Sequence, residues 1–241
     1  MGKIIVLDEL TANKIAAGEV IERPASVVKE LAENSIDAGA GKIDIEIRNG
    51  GIPYIRISDN GSGIGCDDAV IAFERHATSK IRSADDLEHV STMGFRGEAL
   101  ASVAAVASVD LTTRTAKETA GTHVTVKGGR VLDTSEIGCP EGTTFLIRDL
   151  FYNTPARYKF LKKDSTESGF IHEAVVRLAL GHPDIAFQLT DSGNVDIRTP
   201  GSQLKPPAPR STVCCSILPV FSGPFPFFES CSFEIRIIER Y

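Results

Sequence analysis

The stretch Pro24-Ala25-Ser26-Val27-Val28-Lys29-Glu30-Leu31-Ala32-Glu33-Asn34-Ser35-Ile36-Asp37-Ala38-Gly39 decides how this 241-residue sequence folds. Proline is tolerated at a helix's first position and glycine commonly ends one, so the spacing predicts a helix over 24–38 with Gly39 as its stop. Val27, Val28, Leu31 and Ile36 supply its apolar side. Glu30, Asn34 and Asp37 lie four and three residues apart, which puts them on one face. A polar face is ordinarily the solvated side of a helix. What counts against that plainer reading is the neighbourhood. Two strands are expected next, Lys42–Arg48 and Tyr54–Ser58, joined at the hairpin signal Asn49-Gly50-Gly51. Directly after them comes Asp59-Asn60-Gly61-Ser62-Gly63-Ile64-Gly65, a loop whose glycines let backbone approach a ligand closely. It lacks the Gly-Lys-Ser/Thr ending of a Walker A loop and does not follow the dinucleotide pattern.

Outward from this centre, Lys3–Leu7 reads as a short strand and Leu10–Gly18 as a short helix. Downstream, helices are expected around Asp67–Phe73 and Asp85–Val90, then an apolar helix over Glu98–Ala105. Strands follow at Ser108–Arg114, Thr122–Lys127, Arg130–Ser135 and Thr143–Asp149. Helices around Pro155–Lys162 and Glu167–Leu180 precede strands at Ile185–Asp191 and Val195–Arg198. Helices and mostly antiparallel hairpins in this order predict an α+β fold, a two-layer α/β sandwich.

Two further segments are candidates for chemistry. Gly94-Phe95-Arg96-Gly97-Glu98-Ala99-Leu100 is a glycine-flanked loop running into the start of an Ala-rich helix. The free N–H groups there, backed by the helix dipole, favour phosphate. Arg96 could add charge to such a site or pair with a surface carboxylate. Arg75-His76-Ala77-Thr78-Ser79-Lys80 is a polar, basic segment whose plainer reading is an exposed helix end, with His76 structural.

Composition sets the limits. With 42% hydrophobic and 24% charged residues the chain has a globular make-up. Its longest apolar run, Ala99–Val109, is too short for a membrane span, and its first residues lack a secretory core and cleavage site. Five cysteines without a Cys-x-x-Cys pair read as free thiols in a reducing cytosol. The net charge of −6 argues against a protein held on DNA chiefly by its own basic surface. The one basic cluster, Arg157, Lys159, Lys162 and Lys163, reads as a solvated helix face. Composition shifts near residue 200. Residues 205–241 hold six of the 12 prolines, three of the five cysteines and five of the 12 phenylalanines. Proline at that density blocks helices and central strands, and only Ser232–Ile238 reads as a strand. The expected division is 1–200 as a folded domain and 201–241 as a divergent Pro/Phe/Cys-rich tail.

The order Glu30…Asn34, Asp59-x-Gly61-x-Gly63, Gly94–Leu100 and Gly142-Thr143 resembles the GHKL (Bergerat) ATPase superfamily, which includes DNA gyrase's ATPase domain and histidine kinases. Longer strings narrow the resemblance to the MutL mismatch-repair proteins: Ala16–Leu31, Arg75–Lys80, Gly94–Ser102 and Asp149–Arg157. The resemblance covers about the first 200 residues. It implies an ATP-binding and hydrolysing switch between mismatch recognition and strand removal, with ATP and Mg²⁺ as cofactors. Carried onto matching positions, Glu30 is implied as the general base, Asn34 as the Mg²⁺ ligand and Asp59 as acceptor of the adenine amino group. Gly61 and Gly63 are implied to make room for the base, and Thr143 to support Asp59. Thr78, Ser79 and Lys80, with Gly94, Phe95, Arg96, Gly97, Glu98, Ala99 and Leu100, are implied as the lid around the triphosphate. Implied partners are a MutS-type mismatch-recognition protein, downstream repair enzymes, DNA held weakly and a second copy in an ATP-dependent homodimer. The implied location is the cytoplasm. The family's next domain brings a lysine to the γ-phosphate, and no residue in 205–241 matches it. Slow hydrolysis and weak ATP-driven dimerisation are therefore expected of this chain. The alternative is a truncated, hydrolysis-impaired nucleotide-binding module without repair activity of its own.

Overall fold

Alternation builds the sheet. In β1 (Lys42–Arg48) and β2 (Tyr54–Asp59) the isoleucines at 43, 45, 47, 55 and 57 all turn to one face and are essentially inaccessible to solvent. The same period of two buries Val109 and Leu111 of β3 (Ser108–Arg114), Val124 and Val126 of β4 (Gly121–Lys127) and Phe145 and Ile147 of β6 (Gly142–Arg148). Each such side chain contributes about 2 kcal/mol by leaving water. β5 (Arg130–Ile137), β7 (Ala186–Asp191) and β8 (Asn194–Arg198) complete an eight-stranded sheet in the order β5-β4-β3-β6-β2-β1-β7-β8. Six of its pairings are antiparallel and one, β1 with β7, is parallel. The computed structural model describes residues 17, 20–75, 77 and 98–201.

Among the described residues, helices cover only the face that carries the aliphatic ladder. α1 (Pro24–Asp37) turns Val27, Val28, Leu31 and Ala32 into the core. α2 is the short Cys66–Ile71, and α3 (Ala99–Val106) is buried from Ala101 onward. α4 is the single turn Pro155–Tyr158, and α5 (Asp164–Gly181) contributes Ile171, Val175 and Leu178. α1 packs along α5, and the Arg23 guanidinium lies 4.4 Å from the centre of the Phe170 ring. The other face of the sheet is polar. There Asp110 accepts hydrogen bonds from Arg148 at 2.6 Å and from Thr125 at 2.9 Å. The result is the expected two-layer α/β sandwich.

Three local expectations change. The β1–β2 connection is a 3₁₀ turn over Asn49–Gly51 within a five-residue loop, because its glycines pack under α5. A Cβ on Gly50 would stand 2.9 Å from the Asp164 carbonyl, and one on Gly51 would stand 2.9 Å from Ile171 Cδ1. The helix expected to reach Lys162 stops at Tyr158 and continues as three-residue turns. α5 begins earlier than its apolar pattern, at Asp164. Acidic residues favour a helix start, and Glu167 reaches back to the Lys162 amide at 2.9 Å. The strand expected at Lys3–Leu7, most of the helix at Leu10–Gly18, the helix at Asp85–Val90 and the tail from Ser202 onward lie outside the described residues.

Candidate functional site

The aliphatic ladder has a polar end. Along β2 the inward positions run Ile55, Ile57, Asp59; along β6, Ile147, Phe145, Thr143; along β3, Val109, Leu111, Thr113. These strands are neighbours, and Asp59, Thr143 and Thr113 fall directly opposite one another. One carboxylate and two hydroxyls therefore end the core in a single row facing the helices. Buried polar groups need partners, and this row has them. Asp59 Oδ2 accepts from Ser35 Oγ of α1 at 2.7 Å, and Asp59 Oδ1 accepts from the Gly61 amide at 2.9 Å. Thr113 Oγ1 accepts from the Ile64 amide at 2.8 Å and lies 3.2 Å from Thr143 Oγ1. Two bonded carboxylate oxygens fix the rotamer of Asp59 while leaving lone pairs for a further donor.

The glycines around this row are needed for close approach. Gly142 has φ +118°, and a Cβ there would overlap the Asp59 carbonyl oxygen. Gly63 has φ +70° and lies against the Arg114 carbonyl. A Cβ on Gly61 would stand 2.9 Å from the Ala38 carbonyl oxygen. What Gly61 and Gly63 admit here is the protein's own backbone: the loop 60–65 lies between the end of α1 and the end of β3.

α1 brings the other candidates. Glu30 and Asn34 lie one turn apart, next along the helix from Leu31 and Ser35, which face the sheet. The Glu30 carboxyl is 31% exposed and lies 3.5 Å from Lys29 Nζ, which also pairs with Glu33 at 3.0 Å. Asp37, predicted on the same face, is exposed at the helix end. Glu98 is the residue before α3, with Ala99 and Leu100 in its first turn, all half-buried. Thr78, Ser79, Lys80, Gly94, Phe95, Arg96 and Gly97 lie outside the described residues, as does His76. Tyr158 is exposed between Arg157 and Lys159, as a solvated basic surface would be.

Sequence reasoning missed Ser35 and Thr113. A signal existed for both. Ser35 sits four residues after Leu31 on the apolar side of α1, and Thr113 extends the inward series Val109, Leu111. A third omission is Glu118. Its carboxylate accepts from the amides of Cys66 at 2.9 Å and Thr115 at 3.0 Å and from Thr115 Oγ1 at 2.8 Å. The Cys66 and Thr115 hydrogen bonds hold its carboxyl at about 2, well below the usual carboxylate range. Beside it, the negative charge of Asp67 pushes the exposed Cys66 thiol up.

Residues 21–136 match the family model described as "Histidine kinase-, DNA gyrase B-, and HSP90-like ATPase". The DNA mismatch repair protein MutL of Caldanaerobacter subterraneus subsp. tengcongensis is 56% identical over 202 residues, which is 84% of this chain and 34% of the relative. That of Agathobacter rectalis is 54% identical over 202 residues, 84% of this chain and 31% of the relative. The chain belongs to the MutL family. Among solved structures, the Aquifex aeolicus MutL ATPase domain complexed with ADP superposes with a TM-score of 0.61 at 37% identity. That match covers 77% of this chain and 66% of the neighbour. The chain spans about a third of the length of the curated MutL relatives it matches. The region that carries the match is the ATPase region of MutL, built on the GHKL fold. Among the described residues no helix is long and apolar enough to cross a membrane.

Proposed function

We propose that the polar row ending the ladder is an adenine-nucleotide site, and that this chain binds and hydrolyses ATP as a switch in DNA mismatch repair. One observation carries this reading: Asp59 faces inward at the end of the core with both oxygens held by donors from the protein. A carboxylate fixed in that way selects a ligand that brings an N–H donor, which the adenine amino group does and the guanine carbonyl at the same ring position does not. Thr143 supports Asp59 from the neighbouring strand, and the Thr113 hydroxyl holds both the loop and Thr143.

In this reading Glu30 accepts the proton of the attacking water, and its partial exposure is compatible with reaching one. Asn34, one turn on, offers a hard amide oxygen that fits Mg²⁺. Among the described residues no group of three His, Cys, Asp or Glu side chains could hold a metal, and Asn34 is the residue that would hold the ion. When bound it supplies charge to the triphosphate. The amides at the start of α3 face the same way in chemical terms, as donors for phosphate. Thr78, Ser79, Lys80 and Gly94–Leu100 are the segments to which the MutL resemblance gives the triphosphate. A MutS-type protein, downstream repair enzymes, DNA and a second copy are the partners that the family reading brings. In this reading the domain ends near residue 200; the Thr199 amide still donates to the Phe187 carbonyl of β7 at 2.9 Å.

The test is titration of fluorescent ATP and GTP analogues against the chain and its Asp59→Asn variant, beside steady-state hydrolysis. The expected result is preference for ATP, lost or weakened by Asp59→Asn. Equal affinity for both nucleotides, unmoved by the substitution, overturns the assignment. Binding without turnover in the wild-type chain would favour the hydrolysis-impaired alternative.

A further inference from the structure

The segment Asn60–Gly65 carries the amides that fix Asp59 and Thr113, and its own Asn60 anchors its start, Oδ1 accepting from the Gly41 amide at 2.9 Å and the Lys42 amide at 2.8 Å. Its far end is held from outside the loop. At its start, Gly61 is tied back to Asp59 and the Ser62 amide reaches the Ala38 carbonyl at 3.0 Å. At its far end the chain enters α2, whose first amides have no partner within the helix. One of these, the Cys66 amide, donates to Glu118 Oε1 at 2.9 Å, across 52 residues of sequence. Glu118 belongs to the turn between β3 and β4, and its other oxygen accepts from Thr115. The turn is anchored in its own right: Arg114 Nε donates to the Cys139 carbonyl at 2.7 Å and Arg114 Nη1 to the Glu118 carbonyl at 3.0 Å. Gly63 lies against the Arg114 carbonyl between these ties.

We infer that Glu118 is a positioning residue of the nucleotide site: its carboxylate clasps the end of the 60–65 loop to the β3–β4 turn, and so sets the orientation of Asp59 through the loop. The clasp lies on charge-assisted hydrogen bonds from two backbone amides and a hydroxyl, the stronger kind. Its partners are the Cys66 amide and Thr115 and not core side chains, so its loss should loosen the loop without dissolving the fold. The inference rests on the nucleotide reading for its functional half and on geometry alone for its structural half.

The experiment follows the Cys66 and Gly61 amides by hydrogen exchange in the full chain without nucleotide, for wild type, Glu118→Ala and Glu118→Gln. The same proteins are titrated with a fluorescent ATP analogue at 10 °C, with thermal unfolding as a control on the fold. Glu118→Ala should speed exchange at Cys66 about tenfold or more and weaken the analogue by about three- to tenfold, the scale of one or two charge-assisted bonds. Glu118→Gln keeps one acceptor oxygen and should recover part of both effects. Unchanged exchange in Glu118→Ala overturns the clasp. Faster exchange with unchanged affinity overturns the positioning role and leaves the nucleotide reading standing. Failure of the wild-type chain to bind the analogue overturns the nucleotide reading, and the positioning role falls with it.

Discussion

The two ends of β2 and β6 are built from similar residue types and serve opposite purposes. At one end, Asn49-Gly50-Gly51 and Asp149-Leu150-Phe151 close the sheet under α5. Leu150 and Phe151 are buried there, and Asn49, Asp149 and Phe151 all take positive φ, between 46° and 67°. A bulky residue in that conformation costs free energy, which burial of its ring offsets. At the other end, glycines again permit close approach, but the inward positions are Asp59, Thr143 and Thr113. Glycine-rich turns mark both ends. Only the chemistry of the side chains facing the core separates the sealed end from the polar one, the end we propose as the nucleotide site.

The largest effect should come from Gly142→Val. The added atoms overlap the Asp59 carbonyl at a backbone angle that side chains rarely adopt, so a loss of about 3 kcal/mol or more is expected. Urea unfolding measures it, and a loss under 1 kcal/mol would mean the ends of β2 and β6 can separate freely. Leu150→Ala, at the sealed end, should cost about 2–4 kcal/mol by leaving a cavity. Its nucleotide affinity, measured where the protein is folded, should stay within about twofold of wild type; a tenfold drop would show that the two ends are coupled. Glu30→Ala should leave analogue binding nearly intact and lower any turnover by about 10²–10⁴. Loss of binding would instead make Glu30 structural.

Ser35→Ala tests the polar end more gently. It removes the 2.7 Å donor to Asp59 and should cost about 1 kcal/mol of stability, with a few-fold loss of affinity for the ATP analogue. Affinity higher than wild type would show that Ser35 competes with the ligand for Asp59. The smallest effect concerns acid. The Glu118 carboxyl is held at about 2 in the folded chain, below its ordinary 4.5, so what it adds to stability is present above 4.5 and lost as pH falls toward 2. Wild type and Glu118→Gln should therefore differ slightly in unfolding midpoint at pH 6 and converge near pH 2. A difference that grows in acid would contradict the depressed value.

Period and spacing determined much of this protein in advance. α1, the strands at 42–48 and 108–114 and the two-layer arrangement were readable because alternation and helical recurrence act over a few residues, where local sterics and burial dominate. Glu30 and Asn34 could be singled out by their helical spacing and Asp59 by the glycine-rich loop that it opens, and the resemblance to MutL supplied their expected roles. Strand order and register remained for the tertiary structure. The parallel neighbour of β1 comes from 144 residues downstream at Ala186, and nothing in either strand specifies the other. The row Asp59–Thr143–Thr113 exists only once three strands are in register. The same holds for Ser35 against Asp59 and for Glu118 against the Cys66 amide, partners 24 and 52 residues apart. A hydrogen bond demands about 3 Å and a direction. Sequence fixes which groups need such a partner, and the packing of helices on the sheet decides which group meets the need.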